Sequence, residues 1–237
     1  MQIFFTENIQ NNKAFFQDQE AKHISRVLRY KVGDEIKWVD GKGYQYLGSI
    51  TSISKREIEV EISERIEIHN SWKKYIHIVI APTKNMTRME WLIEKLCEIG
   101  VDEISLIITQ NSERRNIKIE KLEKKLISAS KQSMKAKFAT INAPISFKAF
   151  IDKINTKNLT GKYIAHCRQS IKPFVQKIND DKNAIIMIGP EGDFTQDEVT
   201  LAIDNNWIEV GLGDERLRTE TAGLVACQSI HFYEQVK

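Results

Sequence analysis

The sequence is short of the features that mark secreted, membrane-spanning or metal-dependent proteins. Its three cysteines, Cys97, Cys167 and Cys227, lie far apart and form no CxxC pair. That spacing argues against a zinc site or a disulfide framework and points to a reducing cytoplasm. No apolar run approaches the length that crosses a bilayer. The opening MQIFFTENIQ lacks the basic start and the long apolar stretch of a signal peptide. HExxH is absent and the five histidines are scattered, so no metal is expected. There is no GxSxG for a nucleophile elbow, and no GxxxxGK with a following Ser or Thr for a phosphate loop.

The charge is unevenly spread. Residues 71–140 carry 14 basic and 8 acidic side chains, whereas residues 1–70 carry 10 and 11. Such a segment is either a solvated lysine-rich face or a surface for a polyanion such as RNA.

Two patterns divide the chain near residues 70–75. The first part, 1–70, alternates in DEIKWVDGKGYQYLGSI and EIEVEI, which suits half-buried strands joined by Gly turns and suggests a small barrel. A helix is expected at 21–29, with Ile24, Val27 and Leu28 docked inward and Lys22, Arg26 and Arg29 together in solvent. The second part, 73–237, alternates strands and helices, as a mainly parallel sheet covered by helices does. Expected there are strands at 76–81, 104–109, 162–167, 184–188 and 208–212. Helices are expected at 86–99, 118–137, 146–154 and 196–205, with another from about Thr221. Met89, Leu92, Ile93, Leu96 and Cys97 share one stripe of the 86–99 helix and read as core.

In an open α/β sheet, ligands bind beyond the carboxyl ends of the strands. Three loops qualify: AHCRQS from 165, GPEGD at 189–193, and GLGDERLRTETAG at 211–223. Gly189 and Gly192 let the backbone approach a ligand, Pro190 stiffens the turn, and Thr195 with Glu198 forms a capping box. Glu191, Asp193, Asp214 and Glu215 make these loops poor hosts for phosphate. They suit a ligand with cationic or neutral hydrogen-bonding character, of which S-adenosylmethionine is one.

Five segments, in order, resemble a known family along nearly the whole chain: HISRVLRYKVGD, EWLIEKLCEIG, ASKQS, IGPEGDFT and LRTETA. Together they are similar to the RsmE family, the 16S ribosomal RNA uridine N3-methyltransferases of the SPOUT class. The resemblance implies an α/β protein with an N-terminal PUA-like β-barrel for RNA and a C-terminal SPOUT methyltransferase domain with a trefoil knot. It also implies S-adenosylmethionine as cofactor, small-subunit RNA as partner and a homodimer. Carried over residue by residue, the cofactor is lined by His166, Ile188, Gly189, Glu191, Gly192, Leu212, Gly213, Leu217 and Arg218. The final helix would contribute to the knot and the dimer interface.

Arg218, Glu220 and Glu191 are the candidate catalytic residues, with Asp193 a further carboxylate. A carboxylate could take the N3 proton and an arginine could stabilise charge on the uracil oxygens. RNA contacts are expected from Lys22, Arg26, Arg29, Arg114, Arg115 and Lys135. Two departures from the family pattern stand out: Asp193 replaces a glycine, and Asp214-Glu215-Arg216 replaces Pro-Arg-Ile. They raise an alternative, a catalytically silent RNA-binding or ribosome-assembly factor that keeps the fold.

Overall fold

A computed structural model describes residues 3–157, 159–167 and 171–237. The chain forms two compact units, one of residues 1–71 with 127–138, the other of residues 72–126 with 139–237. Among the described residues, no helix is long and apolar enough to cross a membrane.

The first unit is a six-stranded sheet of β1 (Phe4–Phe5), β2 (Ile9–Gln10), β3 (Lys13–Gln17), β4 (Glu35–Val39), β5 (Tyr44–Ile53) and β6 (Glu57–Glu67). Their order is β1-β4-β5-β6-β3-β2, antiparallel except between β1 and β4. The alternation read in EIEVEI is realised: Ile58 and Val60 are fully buried, while the glutamates between them face away from the core. Phe4, Phe16, Trp38 and Ile50 join them in one core. At the β4–β5 turn, Asp40 Oδ1 accepts from the amides of Lys42 and Tyr44, at 2.8 and 3.1 Å.

The helix expected at 21–29 differs in place and pitch. Helix α1 (Asp18–Lys22) continues into a π-helical turn, His23–Val27, and Arg29 takes φ 60°. The wider turn shifts the apolar face from its 100° register. Ile24 is fully buried, but Val27 is 68% exposed instead of docked.

The second unit is a wholly parallel sheet. Its strands are β7 (Tyr75–Ile80), β8 (Glu103–Ile108), β9 (Thr140–Ser146), β10 (Lys162–Ala165), β11 (Asn183–Ile188) and β12 (Ile208–Val210). They lie in the order β12-β10-β11-β7-β8-β9. Strands β10 and β11 are buried along their entire length, as strands covered on both faces must be. Helices α4 (Phe147–Asn155) and α5 (Gln196–Asp204) cover one face through Phe150, Ile151, Val199 and Ala202. Helix α2 (Met86–Ile99) packs on α6 (Thr219–Gln235), and α6 on β7 and β11.

The stripe read on α2 is its buried face: Met89, Leu92, Ile93 and Leu96 are fully buried, each contributing about 2 kcal/mol by removal from water. Gly100 ends α2 at φ 121°, where a Cβ would fall 2.5 Å from the Trp72 ring, so only glycine fits. Its carbonyl accepts from His231 Nε2 at 2.8 Å, fixing α6 beside the end of α2.

The basic helix expected at 118–137 is shorter. Helix α3 spans Ile119–Gln132, and residues 133–138 leave the helix through Met134 at φ 56°. Several of its lysines are engaged within the fold, Lys121 with Glu90, Lys125 with Glu94 and Lys131 with Glu20.

The order in which the strands are laid down reverses between β7 and β11. From β7 the chain moves outward through β8 to β9, then returns to β10 and β11 on the other side. An open α/β sheet usually holds its ligand in a crevice beyond the carboxyl ends of the strands at such a point, here the loops after β7 and β11.

A candidate cofactor and catalytic site

The loop after β11 is shaped by its own side chains. Ile188 is buried at the strand end and its carbonyl accepts from Ala81 N at 3.0 Å. Asp193 N donates to Pro190 O at 2.9 Å, closing the turn, and Asp193 adopts φ 60°. Aspartate tolerates this left-handed region better than most residues. Its side chain also holds it there: Oδ1 accepts from Phe194 N at 2.7 Å and Oδ2 from Cys167 N at 3.0 Å. The capping box is present in both directions, with Glu198 N donating to Thr195 Oγ1 and Thr195 N to Glu198 Oε2.

Neighbouring loops are laced to this one. Glu191 Oε1 accepts from Lys84 N at 3.0 Å, tying it to the loop after β7. Asn111 Nδ2 donates to the carbonyls of Gly192 and Asp193 at 3.1 and 3.0 Å, tying it to the loop after β8. A Cβ on Gly192 would stand 3.3 Å from Asn111 Cβ, and one on Gly189 would stand 3.2 Å from the Phe194 ring. Glu198 Oε1 also accepts from Gln110 N at 2.9 Å.

On the far side stand β10 and β12, and α6, which follows β12 in the chain, packs back on β7, β11 and α2. The His166 side chain is buried and its Nε2 lies 2.9 Å from Glu209 Oε1 of β12. Of the expected loop at 165–170, residues 168–170 lie outside the described residues. Leu212 and Leu217 are half-buried, Gly213 is exposed at φ 118°, and Arg218 is the exposed N-cap residue of α6. Burial raises the Cys167 thiol above its ordinary value, and Asp193 adds to the shift.

Glu220, in the first turn of α6, differs from every other carboxylate here. It is 6% exposed, and its Oε2 is buried without a hydrogen-bond partner. Among the described residues, the cation paired with it is Arg88 of α2, whose Nε lies 3.6 Å from Oε1, beyond hydrogen-bond range. Gly223 lets α6 come this close, since a Cβ there would meet Ile80 and Leu92 at 3.1 Å.

The structure thus gathers Ile188, Gly189, Glu191 and Gly192 in one loop braced by its neighbours, and places Leu212, Gly213, Leu217, Arg218 and Glu220 on β12–α6. His166 is bound to Glu209. The six cations expected to meet RNA fall in both units. Lys22, Arg26 and Arg29 are exposed in the first, which also holds Lys135. Arg114 and Arg115 are in the second, where Arg114 Nε donates to Lys84 O at 2.9 Å. Sequence reading missed Arg88, Asn111 and Glu209, whose partners lie far away in the chain. Among the described residues, no group of three or more His, Cys, Asp or Glu side chains could hold a metal.

Residues 70–231 match the family model of the RNA methyltransferase domain, and residues 16–63 that of the RNA methyltransferase PUA domain. The crystal structure of a probable rRNA-methyltransferase from Porphyromonas gingivalis superposes with a TM-score of 0.91 at 39% identity, covering 100% of this chain and 99% of that one. A ribosomal RNA small subunit methyltransferase E from Neisseria gonorrhoeae, bound to S-adenosyl methionine, gives 0.85 at 27% identity over 98% and 97%. The ribosomal RNA small subunit methyltransferase E of Mesomycoplasma hyopneumoniae is 30% identical over 94% of this chain and 96% of its own length. With the family domain matched over most of its length, a PUA-type unit before it and a relative 30% identical over nearly the whole chain, this chain belongs to the RNA methyltransferase family of ribosomal RNA small subunit methyltransferase E.

Proposed function

We propose that this chain is an S-adenosylmethionine-dependent methyltransferase that modifies N3 of one uridine in the 16S RNA of the small ribosomal subunit. One observation carries the assignment of its chemistry: the buried carboxylate of Glu220 in the first turn of α6, whose Oε2 has no hydrogen-bond partner. A buried acceptor left open costs about 1–3 kcal/mol, so it is best understood as reserved for a ligand's donor. The N3–H of uracil is such a donor.

The residues fit the cofactor. Open backbone at Gly213 suits a ligand held by main-chain groups, and the carboxylates of Glu191, Asp193, Asp214, Glu215 and Glu220 suit a sulfonium far better than a phosphate. Ile188, Gly189, Glu191, Gly192, Leu212, Gly213, Leu217 and Arg218 are proposed as its walls, with His166 steadying them through Glu209. When bound, the cofactor supplies an electrophilic methyl group.

Of the three candidate carboxylates, Glu191 is exposed and holds Lys84 N, and both oxygens of Asp193 hold backbone amides. Glu220 is left as the acceptor of the N3 proton. The braced loops hold their shape before any ligand arrives, which favours orientation of the reacting groups. RNA is read by the PUA-type unit through Lys22, Arg26, Arg29 and Lys135 and by Arg114 and Arg115 of the sheet unit, mainly at phosphates. The target base must leave its stack to reach the crevice. A knotted β10–α6 segment and a cytoplasmic homodimer complete this reading, the dimer supported by exposed Trp91 and Phe232 on the packed pair α2 and α6.

Calorimetry with S-adenosylmethionine, together with mass spectrometry of small-subunit RNA from cells lacking the protein, tests the proposal. Cofactor binding and loss of one N3-methyluridine are expected. Absence of both would leave a silent RNA-binding factor.

A further inference from the structure

We infer that Arg88 is the second charged group of the reaction, placed to stabilise the negative charge that appears on a uracil oxygen as Glu220 takes the N3 proton. The inference rests on the methyltransferase reading above and adds to it a residue that no sequence pattern singled out.

Arg88 lies in the first turn of α2, and that turn is fixed. Asn85 caps the helix by accepting from Thr87 N at 3.0 Å, and the buried stripe from Met89 to Leu96 anchors the helix to the sheet. Only the side chain can adjust. It reaches from a half-exposed position towards a carboxylate that is almost wholly enclosed, the two side chains being 38% and 8% exposed. At 3.6 Å the contact is ionic and not a hydrogen bond. A guanidinium has five N–H donors. One edge facing Glu220 leaves others for an oxygen arriving from the open side.

A structural salt bridge is built differently. Where an arginine serves only to neutralise a buried carboxylate, it is commonly bidentate, with both oxygens satisfied. Here one oxygen is 3.6 Å from the nearest guanidinium nitrogen and the other has no partner. The two groups stand side by side at 3.6 Å, a spacing at which the N3–H and the adjacent carbonyl of one base edge could meet the carboxylate and the guanidinium together.

The chemistry balances without any further reactant. The N3–H bond breaks and its proton forms an O–H bond on Glu220, leaving the electron pair on N3 and, by delocalisation, on the flanking carbonyl oxygens. N3 forms its bond to the methyl carbon as the S–C bond breaks, with that electron pair left on sulfur. The sulfonium and the carboxylate charges both disappear, and Glu220 returns its proton to water. During the step, negative charge moves from Glu220 to the base. Arg88 lies beside both positions, so its counter-charge need not be rebuilt as the proton moves.

The test is single-turnover methyl transfer to small-subunit RNA at saturating S-adenosylmethionine, with Arg88→Gln and Arg88→Lys. Arg88→Gln is expected to slow the step about 100-fold, in the range for removing one preorganised donor. Arg88→Lys, which keeps the charge but not the flat fork, should fall between it and the unmodified protein. Cofactor Kd, by calorimetry, should stay within about twofold of the parent for both. The decisive readout is RNA carrying 5-fluorouridine, whose N3–H is more acidic and whose anion needs less stabilisation. It should shrink the Arg88→Gln deficit about tenfold or more.

An unchanged rate in Arg88→Gln, a loss confined to cofactor Kd, or a deficit that fluorination leaves intact would each overturn the role. If Arg88→Gln fails to fold, the same comparison is made with Arg88→Lys. A parent protein that neither binds the cofactor nor methylates the RNA would sink the methyltransferase reading itself, before Arg88 is in question.

Discussion

Two partly buried polar clusters sit in the parallel-sheet unit, and they are completed in opposite ways. In one, across β7, β8 and β9, Glu103 accepts from Tyr75 Oη and Asn142 Nδ2. Its neighbour His77 places Nε2 2.8 Å from Ser105 Oγ, which Asn142 also reaches at 2.9 Å. Burial holds His77 down at about 4, well below its ordinary 6.5, so it is neutral near pH 7. Burial alone would raise the Glu103 carboxyl, but His77 and the bonds from Tyr75 and Asn142 outweigh it and keep it below its ordinary value. In the other cluster, Glu220 has one distant arginine and an empty oxygen. A satisfied network specifies packing; on the proposed reading, the unsatisfied one is kept for a ligand's donor.

The largest effect that would sharpen this contrast is on catalysis. Glu220→Gln should slow methyl transfer by about 100-fold or more, the range of general-base removal. Urea unfolding should show its stability unchanged or raised, because a buried charge has gone. A large loss of stability instead would break the contrast.

Next comes Glu103→Ala, which removes the acceptor of the part-buried Asn142 amide and of the exposed Tyr75 hydroxyl. It should cost about 2–3 kcal/mol in urea unfolding. Single-turnover methyl transfer by the folded fraction should stay near the parent rate.

Per pH unit, the pH dependence is smaller, and it has a definite sign. Between 6.5 and about 4 the unfolded chain protonates His77 while the folded chain resists it, so stability falls as pH drops through that window, by up to about 1.4 kcal/mol per pH unit. Glu103, held low in the fold, adds a loss of the same sign towards the acid end. Urea midpoints from pH 7.5 downward should reveal the slope, and His77→Gln should flatten its upper part.

The smallest effect is expected for Asp193→Gly. It relieves the left-handed backbone but gives up two amide contacts, and the balance should stay within about 1 kcal/mol of stability. Cofactor Kd, read by calorimetry, should weaken severalfold.

Local patterns were legible in the sequence. The α2 stripe, its Gly100 stop, the Thr195–Glu198 capping box and the β11 strand each depend on neighbours a few residues away, and each stands where periodicity places it. Strand β9 was missed because TINAPIS carries a proline and lies at an exposed edge of the sheet, where the alternation of a buried strand is absent. The π-helical turn at His23–Val27 defeated a reading at helical pitch and put Val27 in solvent. In the site, the glycines and carboxylates of the loops announced themselves, whereas Arg88 and Asn111 gained meaning only when folding brought Glu220 and Gly192 beside them. The Asp193 departure also has its account: its side chain stabilises the conformation that a glycine would adopt freely.

The lacing of the loops has a consequence for timing. Lys84 to Glu191, Asn111 to Gly192 and Asp193, and Asp193 to Cys167 immobilise the crevice walls within the protein itself. Their freedom is surrendered as the chain folds, not when a small molecule arrives, so association carries little ordering entropy. On the proposed reading, a cofactor site walled by these loops would be ready at once, its occupancy following the supply of the ligand without waiting on a slow rearrangement.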